Sequence, residues 1–204
     1  MKPEVFAGEF SLGIVLAGIA AHGWPGTVTT RDIPASSSKE QAMKITLTSP
    51  AFAEGKPIPV QFTCQGSDHS PPLKWSNPPA GTKSLALICD DPDAPVGTWV
   101  HWVLYHVPPT VTELAEKVPT TETLPDGSKQ GINDFGRIGY GGPCPPLGRA
   151  HRYYFKLYAL KSEPSLPPLA SKADLVRAME GQIVAEGQLM GTYQRSLREQ
   201  DFPA

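Results

Sequence analysis

The sequence predicts a mainly β domain: short antiparallel strands packed as a sandwich, with one late helix. Three observations lead there. The 204 residues include 23 prolines, more than twice the usual share of about 5%, and proline belongs in turns and at sheet edges rather than in helices or inner strands. Short alternating apolar runs recur along the chain, separated by NPPAG, VPPT, LPDG and GGPCPPLG, which punctuate it as turns. No internal repeat and no strand–helix–strand alternation is visible, which argues against a parallel α/β sheet.

Residues 1–42 differ from the rest. SLGIVLAGIAA, residues 11–21, has the length of a signal-peptide apolar region and is too short to span a bilayer. Only Lys2 precedes it as a base, and Glu4 and Glu9 lie close by, a poor secretory pattern. PASSSKEQ (34–41) reads as a polar linker. Residues 1–42 are therefore expected to be a disordered extension or a weak targeting segment, and residues 43–204 the folded domain. Strands are expected at ITLTS (45–49), PVQFTC (59–64), SPPLKWS (70–76), SLALIC (84–89), WVHWVLYHV (99–107) and HRYYFKLYAL (151–160). In the fifth, strict alternation places Val100, Trp102, Leu104 and His106 on one face. Trp99, His101, Val103, Tyr105 and Val107 take the other. A helix is expected from Ser171, with Asp174 completing a capping box. Leu175, Met179 and Ile183 form its apolar stripe and Gly187 its stop.

An apolar fraction of 40% supports a real core, and a formal net charge of −2 with no basic run leaves no field for nucleic acid and no means of stable membrane insertion. Cys64, Cys89 and Cys144 are odd in number and lack CxxC spacing, so no thiolate zinc site and no metal or other cofactor is expected. Reduced cysteines fit the cytoplasm, the expected compartment. A periplasmic or secreted location is the alternative if residues 1–42 act as a signal.

Two islands carry the polar chemistry. In DDPDAPVGTWVHW (90–102) a buried strand breaks into a rigid turn bearing Asp91 and Asp93, then re-enters a strand carrying His101. Aspartate also favours turns for its own sake, and a strand histidine is often a core residue. GRIGYGGPCPPLGRAHRYYF (136–155) is a glycine- and proline-rich loop running into a strand, with His151 and Tyr153 on one face and Arg152 on the other. Glycines 139, 141 and 142 permit close backbone approach, and their amides are expected to line an anion-binding concavity. Cys144, in that loop, reads as a small buried hydrophobe or a reactive thiol.

Together DPDAP…WVHW, GYGGPCPP…HRYYFKLYAL, SPAF, FTCQG, SPPLKWS, GINDFGRIGYGG and LMGTYQR resemble the phosphatidylethanolamine-binding protein family, over about residues 44–195. The likeness is closer to its bacterial and archaeal branch of Raf-kinase-inhibitor-like proteins. Val100 stands where the eukaryotic branch often has a second histidine. The resemblance implies an antiparallel β-sandwich with one or two short peripheral helices and a small anion pocket. It implies that Asp91, Asp93, His101, Gly142, Pro143, His151 and Tyr153 line that pocket, which would accept a small phosphorylated or carboxylated ligand such as a phosphoethanolamine head group. It further implies a regulator of a partner protein, such as a kinase or a serine protease, rather than an enzyme. A serine protease inhibitor, or a metal-dependent or acid/base hydrolase built on the Asp and His residues, is the competing reading. No G-x-S-x-G, H-E-x-x-H or Walker A pattern supports the hydrolase. Residues 188–204 are expected to cover part of the pocket. Oligomeric state is open.

Overall fold

The computed structural model describes residues 42–197; the expectations for the N-terminal extension, and for residues 198–204, lie outside them. Among the described residues nine strands form two sheets. The larger has the order β1 (Met43–Lys44), β9 (Ile183–Tyr193), β8 (His151–Leu160), β4 (Ser84–Asp91), β5 (Trp99–Val107), β7 (Lys129–Gln130). Its pairs are antiparallel except β1–β9, which is parallel. The smaller sheet has the order β2 (Leu47–Thr48), β3 (Leu73–Trp75), β6 (Glu113–Leu114). This is the mainly β sandwich that the alternation and the prolines predict.

The main core lies on one face of the large sheet. Leu85, Leu87 and Cys89 of β4 meet Trp102 and Leu104 of β5 and Phe155 and Leu157 of β8, and Leu73 and Trp75 of the small sheet complete it. The opposite face packs Ala86, Ile88, Val103 and Tyr105 against Leu175 and Met179 of the helix α1 (Lys172–Met179). With apolar layers on both sides, β4 is buried along its whole length, as a continuous apolar run in a central strand must be.

The structure departs from the alternation in β5, and the departure matters for the site. Cys89 pairs with Trp102 but Asp90 pairs with Val100, so His101 is an extra residue, a β-bulge. Val100 consequently turns to the helix side while Trp102 stays in the main core. A second slip separates the Leu87–Leu104 and Leu85–Val107 pairs. His106 there adopts φ +56°, and Val107 crosses to the face of Leu104.

Two further expectations are corrected. PVQFTC is no strand: Val60–Phe62 is a 3-10 turn entered from Pro59, and it delivers Phe62 into the core. The helix stops at Met179 rather than running through Ile183 to Gly187. Gly181 takes the left-handed conformation, φ +67°, that ends helices. Ile183 then opens β9, whose buried Ala185, Leu189 and Tyr193 alternate as a strand should. The start of the helix is as expected: the Ser171 side chain accepts from the Asp174 amide and Asp174 returns to the Ser171 amide.

Candidate functional site

Three adjacent strands end together. β4 stops at Asp91, β5 begins at Trp99 opposite it, and β8 begins at His151. The carboxylate comes from the middle strand and one imidazole from each flanking strand. Because side chains alternate across a strand, Asp90 and Asp91 part company. Asp90 turns to the helix side, where it is fully buried and bonded to Lys156 Nζ at 2.8 Å and to Lys172 Nζ of α1. Asp91 turns to the main-core side.

There Asp91, His101, His151 and Tyr153 line a cavity of about 210 Å³. Its other walls are apolar: Ala94, Pro95, Val96 and Trp99 on one side, Phe135, Cys144, Pro145 and Pro146 on the other. His101 and His151 are almost fully buried, and each has its Nδ1 engaged. His151 Nδ1 lies 2.8 Å from Asp91 Oδ2 and His101 Nδ1 lies 2.6 Å from the Gly141 carbonyl. Neither a carboxylate nor a carbonyl can donate, so Nδ1 of each ring carries a proton and Nε2 is the atom left for a ligand. The other Asp91 oxygen accepts from the Asp93 amide at 2.8 Å. The His101 ring is gripped edge-on by Tyr153, at 5.1 Å between centroids, and by Phe135, at 5.3 Å. Burial pushes the His101 pKa down, against the opposing pull of its Gly141 bond and of Asp91, Asp68 and Asp134. The Tyr153 hydroxyl has no hydrogen-bond partner of good geometry; burial, and then the nearby Asp91 charge, hold its pKa well above the usual phenol value.

Not every expected residue reaches the cavity. Asp93 lies outside the lining. It forms a fork with Arg152, Oδ2 to Nε at 2.8 Å and Oδ1 to an Nη at 2.7 Å, and also accepts from the Arg152 amide. Arg152 projects from the β8 face opposite His151, so the DPD turn is clasped to the start of β8. The Arg152 guanidinium holds the Asp93 carboxyl at about 2, down from 3.8. A depressed carboxyl contributes stability that is fully present above its ordinary pKa and lost as pH falls through about 2. Asp93→Asn is therefore expected to flatten the fall in thermal unfolding temperature over this acid window. An unchanged acid profile would show the clasp to be energetically idle.

Gly142 and Pro143 also stand behind the lining, not in it. A Cβ at position 142 would fall 2.4 Å from the Phe62 carbonyl oxygen, so only glycine fits there. Two of the three amides expected to face an anion are already satisfied, since Gly141 N donates to the His101 carbonyl and Gly142 N to Asp68 Oδ1. Buried amides need partners before any ligand arrives, and this fold supplies them internally. Cys144 is neither a hydrophobe nor a free thiol: it is bonded to Cys64. The bridge ties the cavity loop to the 3-10 segment, reinforced by Cys64 N donating to the Pro143 carbonyl and Tyr140 OH to the Phe62 carbonyl.

Trp99 and Phe135 are lining residues that the sequence reading did not single out. Phe135 sits in a turn organised by Asn133, whose Oδ1 accepts from the amides of Phe135 and Arg137 and whose Nδ2 donates to the Gly139 carbonyl. An exposed aromatic inside the polar, glycine-rich NDFGR was the signal available. None of residues 188–197 lines the cavity. Gln194 donates to the Gly148 carbonyl and Gln65 Nε2 to the Ser196 carbonyl, so the chain after β9 runs beside the cavity loop instead. Among the described residues no cluster of three or more His, Cys, Asp or Glu is arranged to hold a metal, and no helix is long and apolar enough to cross a membrane.

The comparisons with known proteins match this architecture. A UPF0098 protein of Methanothermobacter thermautotrophicus is 54% identical over 145 residues, covering 71% of this chain and 95% of that protein. One from Aquifex aeolicus is 51% identical over 147 residues, covering 71% and 85%. Among solved structures, a phosphatidylethanolamine-binding protein homologue of Chlamydia trachomatis superposes with a TM-score of 0.69 at 43% identity, covering 76% of this chain and 100% of that one. YbcL of E. coli, described as a member of the mammalian phosphatidylethanolamine-binding protein family, gives 0.70 at 35% identity, covering 75% and 99%. The family model for phosphatidylethanolamine-binding proteins spans residues 48–194, and the chain belongs to that family.

Proposed function

We propose that the chain is a binding module, not an enzyme. Its cavity takes the phosphorylated or carboxylated head of a small ligand and through it modulates a partner protein, a kinase or a serine protease being the classes that the family resemblance offers. The observation that carries the reading is the pair of buried imidazoles, each fixed at Nδ1 and each presenting Nε2 to one small cavity. Phosphoethanolamine and inorganic phosphate, titrated separately while the imidazole resonances of His101 and His151 are followed by NMR, test it. Both sets should shift saturably. His151→Ala should weaken binding about 10- to 100-fold, the loss of a hydrogen bond to a charged group worth about 1.5–3 kcal/mol. Rings that ignore both ligands would overturn the reading.

One observation favours the hydrolase alternative. Asp91–His151 has the geometry of a general-base dyad, a carboxylate orienting an imidazole whose Nε2 is open to the site. Turnover of a phosphate monoester that disappears in His151→Ala would establish it. The Cys64–Cys144 bridge bears on compartment: it fits an oxidising one, which favours the periplasmic or secreted location over the cytoplasm.

A further inference from the structure

We propose that Cys144 is a modification site: a small thiol exchanges into the Cys64–Cys144 bridge at Cys144, and the adduct closes the cavity to anions. The closing rests on the anion-pocket reading above; the exchange does not. The bridge joins two unlike sulfurs. Cys144 is an exposed residue and lines the cavity, whose rim includes the exposed Val96. Cys64 is partly buried just past the 3-10 turn, with its amide turned to the Pro143 carbonyl. Exchange depends on access to the attacked sulfur, and exposed bridges are the labile ones. An incoming thiolate therefore meets Cys144 first. It attacks Cys144 Sγ; a new S–S bond forms as the old one breaks, and the electron pair leaves on Cys64 Sγ. Cys64 takes up the proton that the incoming thiol gave up. The incoming sulfur is oxidised and Cys64 is reduced, so the thiol is the only co-reactant.

A thiol held beside a mixed disulfide has a high effective concentration and expels the adduct unless the two sulfurs part. The loop is free to part them. Residues 144–150 belong to no strand or helix, and Pro145 and Pro146 have no N–H to commit. Besides the bridge, the described backbone ties of residues 143–150 run from Cys64 N to the Pro143 carbonyl and from Gln194 Nε2 to the Gly148 carbonyl. Neither tie reaches Cys144 itself. Once the bridge is cut, the adduct replaces a single sulfur in the wall of a cavity of about 210 Å³. His101 and His151 line that same space, so the adduct and an anionic head compete for it. The free Cys89, 1% exposed, is closed to this exchange.

The experiment starts from the intact oxidised protein, incubated under native conditions with limiting glutathione, quenched with an alkylating agent and mapped by peptide mass spectrometry. Glutathione should be found on Cys144 and the alkyl label on Cys64. Cys64→Ser then gives the adduct a stable form, because no second thiol is left to expel it. After reaction with glutathione disulfide, that variant should bind inorganic phosphate at least about tenfold more weakly than before reaction, measured by calorimetry. Where Cys64→Ser does not fold, the parent trapped by alkylation at Cys64 gives the same comparison. Glutathione on Cys64, or on neither sulfur of the bridge, would overturn the proposal, while phosphate binding by the oxidised parent would keep the anion pocket standing. An adduct on Cys144 that leaves phosphate affinity within about twofold would also overturn it. An oxidised parent that binds no phosphate would overturn the pocket reading and the closing with it.

Discussion

Replacing Lys156 and Lys172 together by methionine is expected to lower the unfolding free energy by about 3–5 kcal/mol, the cost of stranding a buried charge. Asp90 is 0% exposed at the centre of the large sheet, and these two ammonium groups are its bonded partners. Removing the acid instead should be milder. The lysine side chains are 31% and 28% exposed, so without Asp90 their ends can turn to water along their own stems. Adding Asp90→Leu to the double lysine variant should recover most of the loss, since a buried ion pair exchanged whole for apolar groups is close to neutral. Urea unfolding of the three proteins gives the ordering directly. A double lysine variant as stable as the parent would mean that Asp90 had found water or another partner.

The second large effect is expected at the disulfide. Reducing it, or replacing Cys64 and Cys144 by serine, should lower stability by about 4 kcal/mol, because the bridge closes a loop of 80 residues in the unfolded chain. A functional loss should accompany the thermodynamic one. Cys144 lines the cavity, and Cys64 anchors it to the 3-10 segment. On the proposed anion-pocket function, phosphate affinity should therefore fall with reductant even where the protein stays folded. Chemical unfolding midpoints with and without a dithiol reductant test the first claim, and phosphate titration below the midpoint tests the second. Superimposable unfolding curves would show that the reduced loop keeps its place through its hydrogen bonds, Cys64 N–Pro143 O, Tyr140 OH–Phe62 O and Gly142 N–Asp68 among them.

What was legible in the sequence depended on how local its cause was. SLALIC and HRYYFKLYAL are read as strands within two residues of β4 and β8 because their length and alternation leave no other structure. The capping box at Ser171 was equally plain. PVQFTC alternates as a strand does, but Pro59 has no N–H to give a ladder, and the amides of Phe62 and Thr63 turn back to the carbonyls of Pro59 and Val60, so the local turn wins. The helix stripe was extended one step too far because Ile183 happens to fall at the next helical position. Gly181, two residues beyond Met179, was the true stop, and Gly187 is a glycine for another reason: a Cβ there would meet the Ile45 carbonyl oxygen at 2.3 Å. Within the cavity, Asp91, His101, His151 and Tyr153 follow from the motifs. The spent amides and the Cys64–Cys144 pair do not, since each depends on a partner 40 or more residues away, and the bulge at His101 does not, since it depends on the register against β4 rather than on β5 itself. Three cysteines cannot announce which two of them meet.

With Cys64 and Cys144 bonded to each other, Cys89 is the one free thiol in the chain. It sits in the middle strand of the large sheet, beneath the cavity floor, and burial lifts its thiol pKa well above the ordinary value. A thiol so placed is closed to electrophiles until β4 itself separates from β5 and β8. Its alkylation rate in native buffer thus becomes a clock for opening of the central sheet, reading a rare event that spectroscopic averages miss. No engineered label is needed, and ligands that clamp His101 to His151 across the intervening strand should slow the clock.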